Sequence, residues 1–148
     1  ELTLRRGDRP AQAVLLKIET PLAVKNLPQL IVASARRHPT GVMIARGDLA
    51  VEIGFARLSE MQEEMLWLCE AAHTPVVWAT QVLDQFVRDG VANRSEMTDA
   101  ASAQAAECVM LNKGPHLAEG VAFLRDVLAR MDRHHAKRFE LYAQLKSW

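Results

Sequence analysis

The chain has 148 residues, 49% of them apolar and 24% charged, which is the composition of an ordinary globular domain. Eighteen basic side chains balance eighteen acidic ones, which argues against capture of nucleic acid or an anionic membrane by bulk charge. The only two cysteines, Cys69 and Cys108, are far apart and build neither a disulfide framework nor a zinc site, so a reduced, cytoplasmic setting is expected.

Residues 1–12 are polar and carry Gly7, Asp8 and Pro10. They read as a loop-like lead-in without the apolar core of a signal peptide. The first residue is Glu1 rather than Met, which points to a fragment or a processed chain. Residues 13–148 read as one domain. Ala13 to Glu19 form a compact apolar run that carries two charges, Lys17 and Glu19, at its end, the pattern of a strand buried on both faces with chemistry at its C-terminal end. A moderate helical stripe over residues 22–36 follows Thr20-Pro21, and His38-Pro39-Thr40-Gly41 breaks it.

Val42 to Ala45 form the second short strand, closed by Arg46-Gly47-Asp48. Leu49 to Arg57 read as a long connection. Ser59 and Gln62 have capping-box spacing, and Leu58, Met61, Met65, Leu68, Cys69 and Ala72 share one helical face. Val76 to Ala79 form the third strand, ending at Thr80-Gln81. A short helix over 82–88 stops at Asp89-Gly90, and another starts near Asn93 to Ser95 and runs to about Ala106. Cys108 to Leu111 form the fourth strand. Leu117, Val121, Leu124, Leu128 and Met131 then make a continuous stripe, which Tyr142, Leu145 and Trp148 extend into a long final helix. The apolar runs are too short to make a transmembrane helix.

The result is an α/β fold of four strand–helix units in series. Near-continuous apolar strands alternating with helices predict a parallel sheet covered by helices. Such sheets carry their sites at the C-terminal strand ends, and here every strand ends in polar residues. An eight-fold barrel needs roughly 250 residues, so this chain has room for half of one. A half-barrel leaves exposed edge strands, to be paired by another copy or by the missing N-terminal half.

The strand ends read Lys17-Ile18-Glu19, then Met43-Ile44-Ala45-Arg46-Gly47-Asp48-Leu49-Ala50-Val51-Glu52, Ala79-Thr80-Gln81-Val82-Leu83, Arg94-Ser95-Glu96-Met97-Thr98-Asp99 and Val109-Met110-Leu111. In order and spacing they resemble the pyruvate kinase family over strands five to eight of its TIM (β/α)8 barrel, across about residues 13 to 130. Where the family carries Ser-Gly-Glu-Thr-Ala after strand eight, this chain has Asn112-Lys113-Gly114-Pro115-His116. Together with Trp67 to His73, that block resembles a divergent branch.

From spacing alone, Glu19 and Asp48 are either two solvent-facing acids or a pair converging on a hard divalent cation. The resemblance implies the second, as ligands of Mg²⁺ or Mn²⁺, with Lys17 as the lysine of phosphoryl transfer. It implies Gly47, Asp48 and Thr80 at the carboxylate of phosphoenolpyruvate, and Thr80 also on the proton path to the enolate. Arg46 reads as a brace for its loop. The resemblance further implies Mg²⁺-dependent phosphoryl transfer between phosphoenolpyruvate and ADP, giving pyruvate and ATP. It places a potassium site and most nucleotide contacts outside this chain, so ADP or ATP would bind only with the missing half. Little turnover is therefore expected of the chain alone. Two alternatives stand beside this reading. One is a non-catalytic binding or assembly module; the other is a metal-dependent lyase or aldolase acting on a 2-oxo acid. Under every reading neither nucleic acid nor a membrane is expected as a partner. The cluster of Arg130, Arg133, His134, His135, Lys137 and Arg138 reads as a solvated helix end.

Overall fold

A computed structural model of the chain describes residues 12–135. Strands and helices alternate: β1 (Val14–Ile18), α1 (Pro21–Lys25), α2 (Leu27–Ala35), β2 (Thr40–Ala45), α3 (Arg46–Ile53), α4 (Phe55–Ala71), β3 (Val76–Val82), α5 (Asp84–Asp89), α6 (Arg94–Ser102), β4 (Cys108–Leu111) and α7 (Leu117–His135). A single 3₁₀ turn, Ala103–Ala105, follows α6. The four strands form one parallel sheet in the order β1-β2-β3-β4. These are four consecutive βα units, a partial barrel.

The pleat sorts the strands into two faces. Register pairs Leu16 with Val42 and Ile18 with Ile44, then Val42 with Val76 and Ile44 with Trp78. All of these side chains join the core against Leu27, Ile31, Leu49, Met65 and Cys69 from the helices. The opposite face carries Leu15, Lys17, Met43, Val77 and Cys108, none of them buried. Only β2 and β3 approach the expected two-sided burial. β1 alternates, leaving Leu15 47% exposed, and β4 holds no buried residue. These two are the edges of a four-stranded sheet, with no strand paired on their outer sides among the described residues.

Helix starts follow local chemistry in two places. Thr20 caps α1 by accepting from the Ala23 N–H, with Pro21 in the first turn. Asn93 caps α6 by accepting from the Glu96 N–H at 2.9 Å. Three expectations are overturned. The stripe over residues 22–36 is two helices, α1 and α2, parted at Asn26. Leu49 to Arg57 are not a connection, because α3 begins at Arg46 directly off β2 and runs to Ile53. The next helix does not start at Ser59, because Gly54, at φ +84°, joins α3 to α4, which begins at Phe55. The positive φ is the conformation glycine tolerates best, so the break falls there and Ser59 lies inside α4. The extension of the last helix to Tyr142, Leu145 and Trp148 lies outside the described residues, as do Lys137 and Arg138. Arg130 pairs with Asp126 one turn earlier.

Candidate functional site

β1 and β2 end side by side, because Ile18 pairs with Ile44. Glu19 is the first residue past β1, and Asp48 stands in the first turn of α3 just past β2. Lys17 lies two residues before Glu19, so its side chain leaves the face turned away from the core. The Lys17 ammonium pairs with a Glu19 carboxylate oxygen and lies 3.5 Å from Asp48 Oδ2. The three side chains are 51%, 39% and 64% exposed, in that order. The hydrogen bond to Glu19, with the nearby charges of Glu19 and Asp48, raises the Lys17 pKa above its ordinary value against some desolvation.

Two carboxylates from neighbouring strand ends thus converge on one cationic point. Mg²⁺ accepts few protein oxygens and completes its shell with water and substrate oxygens. The donor set of Glu19 and Asp48 fits that ion and Mn²⁺. Among the described residues no group of three or more His, Cys, Asp or Glu side chains comes together.

Thr80 reaches the same corner from β3. Its Oγ1 accepts from the Gly47 N–H at 2.9 Å. That amide belongs to the first turn of α3, where N–H groups and the helix dipole favour an anion. A Cβ added at Gly47 would meet Thr80 Oγ1 at 3.6 Å and Gln81 Oε1 at 3.9 Å, ordinary contacts. The fold by itself therefore tolerates a side chain at position 47, and what the glycine keeps open is the space beside the Thr80 hydroxyl.

Thr80 sits there because β3 ends in an unusual backbone. Thr80, Gln81 and Leu83 take φ of +66°, +59° and +49°, and the pairing with β4 shifts register between Trp78 and Val82. A β-branched residue at positive φ is an outlier that costs on the order of 1–3 kcal/mol. Arg46 holds it in place. Its guanidinium donates to Ala79 O at 2.9 Å and to Thr80 O at 2.6 Å, and binds the Asp99 carboxylate through both terminal nitrogens. It also lies 4.6 Å above the ring of buried Trp78, a cation–π contact. Arg46 is thus a brace, as the sequence reading has it. An open depression of about 220 Å³ lies beside it, lined by Arg46, Gln81, Ser95, Glu96 and Asp99.

Two members of this frame escape a sequence reading. Asp99 meets Arg46 across 53 positions, and no local pattern announces such a pair. Glu96 accepts from the Gln85 and Phe86 N–H groups at 2.6 and 3.3 Å, capping α5 from α6. Its acidic character three residues after Asn93 was the available signal, but that spacing marks only its own helix.

The loop after β4 is tied down. Asn112 Nδ2 donates to Asp84 Oδ1 at 2.9 Å, and the His116 N–H donates to Val87 O at 3.0 Å. A Cβ at Gly114 would fall 2.5 Å from Val87 O, so only glycine fits there. The His116 ring packs against Gly90. The two thiols differ: Cys108 is exposed, while burial, with Glu107 nearby, pushes the Cys69 thiol up to about 12. No helix among the described residues is long and apolar enough to cross a membrane.

The family model described as pyruvate kinase, barrel domain, matches residues 4–121. A pyruvate kinase of Encephalitozoon cuniculi is 35% identical over 127 residues, 82% of this chain and 28% of that relative. A pyruvate kinase of Thermococcus litoralis is 31% identical over 141 residues, 91% of this chain and 28% of its own length. The plastidial pyruvate kinase 3 of Arabidopsis thaliana is 35% identical over 102 residues, 68% of this chain and 17% of that protein. The chain therefore spans between 17% and 28% of the length of these curated relatives.

Proposed function

The chain belongs to the pyruvate kinase family, and from that premise we propose that it supplies the divalent-cation and phosphoenolpyruvate side of a pyruvate kinase active site. The observation that carries the reading is the convergence of Lys17, Glu19 and Asp48 at neighbouring strand ends, beside the Gly47 amide and the Thr80 hydroxyl. Glu19 and Asp48 would hold Mg²⁺ or Mn²⁺, which when bound would polarise the phosphoryl and enolate oxygens of the substrate. Lys17 would place its ammonium against negative charge developing on the phosphoryl group or the enolate. The Asp48 amide would take the substrate carboxylate at the start of α3, with the single Gly47 N–H shared between that carboxylate and Thr80 Oγ1. Thr80 accepts from Gly47 through one lone pair and keeps its own proton to donate to that carboxylate or to the enolate carbon's proton path. The buried Arg46 frame keeps these donors in register, and preorganised dipoles of this kind are usually the largest catalytic contribution.

In the complete reaction, phosphate passes from phosphoenolpyruvate to ADP, giving pyruvate and ATP. The nucleotide side would come from residues beyond the four βα units, in an N-terminal barrel half or a second copy. Calorimetry tests the reading. Mg²⁺ should bind the chain, bind more tightly with phosphoenolpyruvate, and lose its site in Glu19→Gln/Asp48→Asn. Wild-type protein that takes up no Mg²⁺ under either condition sinks it. A second reading, an assembly module without turnover, draws support from the loop Asn112–His116, where the Asn112 side chain and the His116 N–H are bonded to α5. Robust pyruvate formation by the chain alone would dispose of that reading.

A further inference from the structure

Resting on the proposed metal site, we propose that Lys17 is the resident counter-ion of the Glu19–Asp48 pair, and that its displacement makes cation binding depend on the arrival of an anionic substrate. The ammonium lies where a cation shared by the two carboxylates would lie, paired with Glu19 and 3.5 Å from Asp48 Oδ2. Lys17 carries one positive charge against two negative ones, so the trio is left with a single net negative charge. A divalent ion that takes both carboxylates neutralises them fully and leaves the ammonium without a partner beside a doubly charged cation.

Like charges at such separations repel even in a solvated site. The lysine stem is long and flexible, and its head is half exposed, so the ammonium swings rather than breaks the fold. Its natural new partner is an anion bound at the start of α3, on the same edge of the sheet. Metal and anion are then coupled through one side chain, and the coupling is reciprocal by linkage. Lys17 suppresses binding of the metal alone and rewards binding of the metal with the anion.

The test measures Mg²⁺ affinity of the full chain by calorimetry, alone and with saturating phosphoenolpyruvate, for wild type, Lys17→Met and Lys113→Met. Lys113 is an exposed residue just past β4, so its removal reports the effect of unit charge at the sheet edge. Lys17→Met is expected to bind Mg²⁺ alone about three- to tenfold more tightly, from the loss of two ion pairs of ordinary exposed strength. Its gain from phosphoenolpyruvate should fall by at least the same factor. Lys113→Met should stay within about twofold of wild type in both.

Side-chain ammonium NMR supplies the second measurement. The Lys17 signal, assigned by its loss in Lys17→Met, should move with the same saturation curve as Mg²⁺ binding. Equal or weaker Mg²⁺ binding by Lys17→Met, or a Lys17 signal that stays still while Mg²⁺ saturates, overturns the counter-ion role and leaves the metal site standing. Absence of Mg²⁺ binding in both proteins overturns the metal site and this role together.

Discussion

Two corners of the same sheet edge are built on opposite principles. Lys17, Glu19 and Asp48, at the ends of β1 and β2, form an exposed charge trio held by its own ion pairs. Arg46, Asp99 and Trp78, one strand over, form a buried frame whose guanidinium is spent on two carbonyls, a carboxylate and a ring. Exposed ion pairs contribute little to stability and exchange partners readily. A desolvated guanidinium with every face engaged is costly to disturb. The division suits an edge that must hold one set of groups still while another set changes partners.

The sharpest way to break that comparison is to empty the rigid corner. Arg46→Ala leaves Asp99 and two carbonyls without their donor and releases the positive-φ turn at Thr80, and urea unfolding should show a loss of about 3–5 kcal/mol. Asp99→Asn keeps the shape and half of the hydrogen bonding, so its loss should be smaller, about 2 kcal/mol. An Arg46→Ala protein as stable as wild type would mean that the frame does not hold β3.

Next comes the loop that the chain has fastened to α5. Gly114→Ala drives a methyl to 2.5 Å from Val87 O, and the shift needed should cost about 1–3 kcal/mol. Gly47→Ala, next to the exposed charge trio, is the counterpart. It meets only ordinary contacts and removes a helix glycine, so stability should rise by up to about 1 kcal/mol, while binding of phosphoenolpyruvate fails. A Gly47→Ala protein that binds it normally would detach the α3 amide from the substrate.

The buried thiol behind the sheet gives a pH signature. Folding raises the Cys69 pKa from 9.0 to about 12, so the unfolded chain loses this proton first. The stability it protects is complete below about pH 9 and declines as pH rises toward 12. Thermal melts of wild type and Cys69→Ala across that window should converge as pH rises. The smallest effect belongs to the exposed trio: Lys17→Met should leave the urea midpoint where it is, whatever it does to ligand binding.

The strand cores, the order of the βα units and the helix starts at Thr20 and Asn93 are legible in the residues, because strand burial and capping are written within a few positions. The candidate residues Lys17, Glu19, Gly47, Asp48 and Thr80 are legible as strand ends. The helix Arg46–Ile53 is not. Its polar residues, Arg46, Asp48 and Glu52, blur the apolar stripe, and its start is fixed by Arg46 reaching β3 rather than by a cap of its own. The Ser59 spacing misleads because a capping pattern inside a helix looks the same as one at its start.

The alternation, the buried faces of the inner strands and the chemistry available at each strand end follow from the residues alone, since they depend on short-range periodicity and side-chain type. Folding was needed to set Lys17 between Glu19 and Asp48, to join Arg46 to Asp99 and bring it over Trp78, and to turn Thr80 into a left-handed backbone that reaches Gly47. Each of these joins residues 31 to 53 positions apart through the register of parallel strands, and register follows from the packing of the whole sheet rather than from any local stretch of chain.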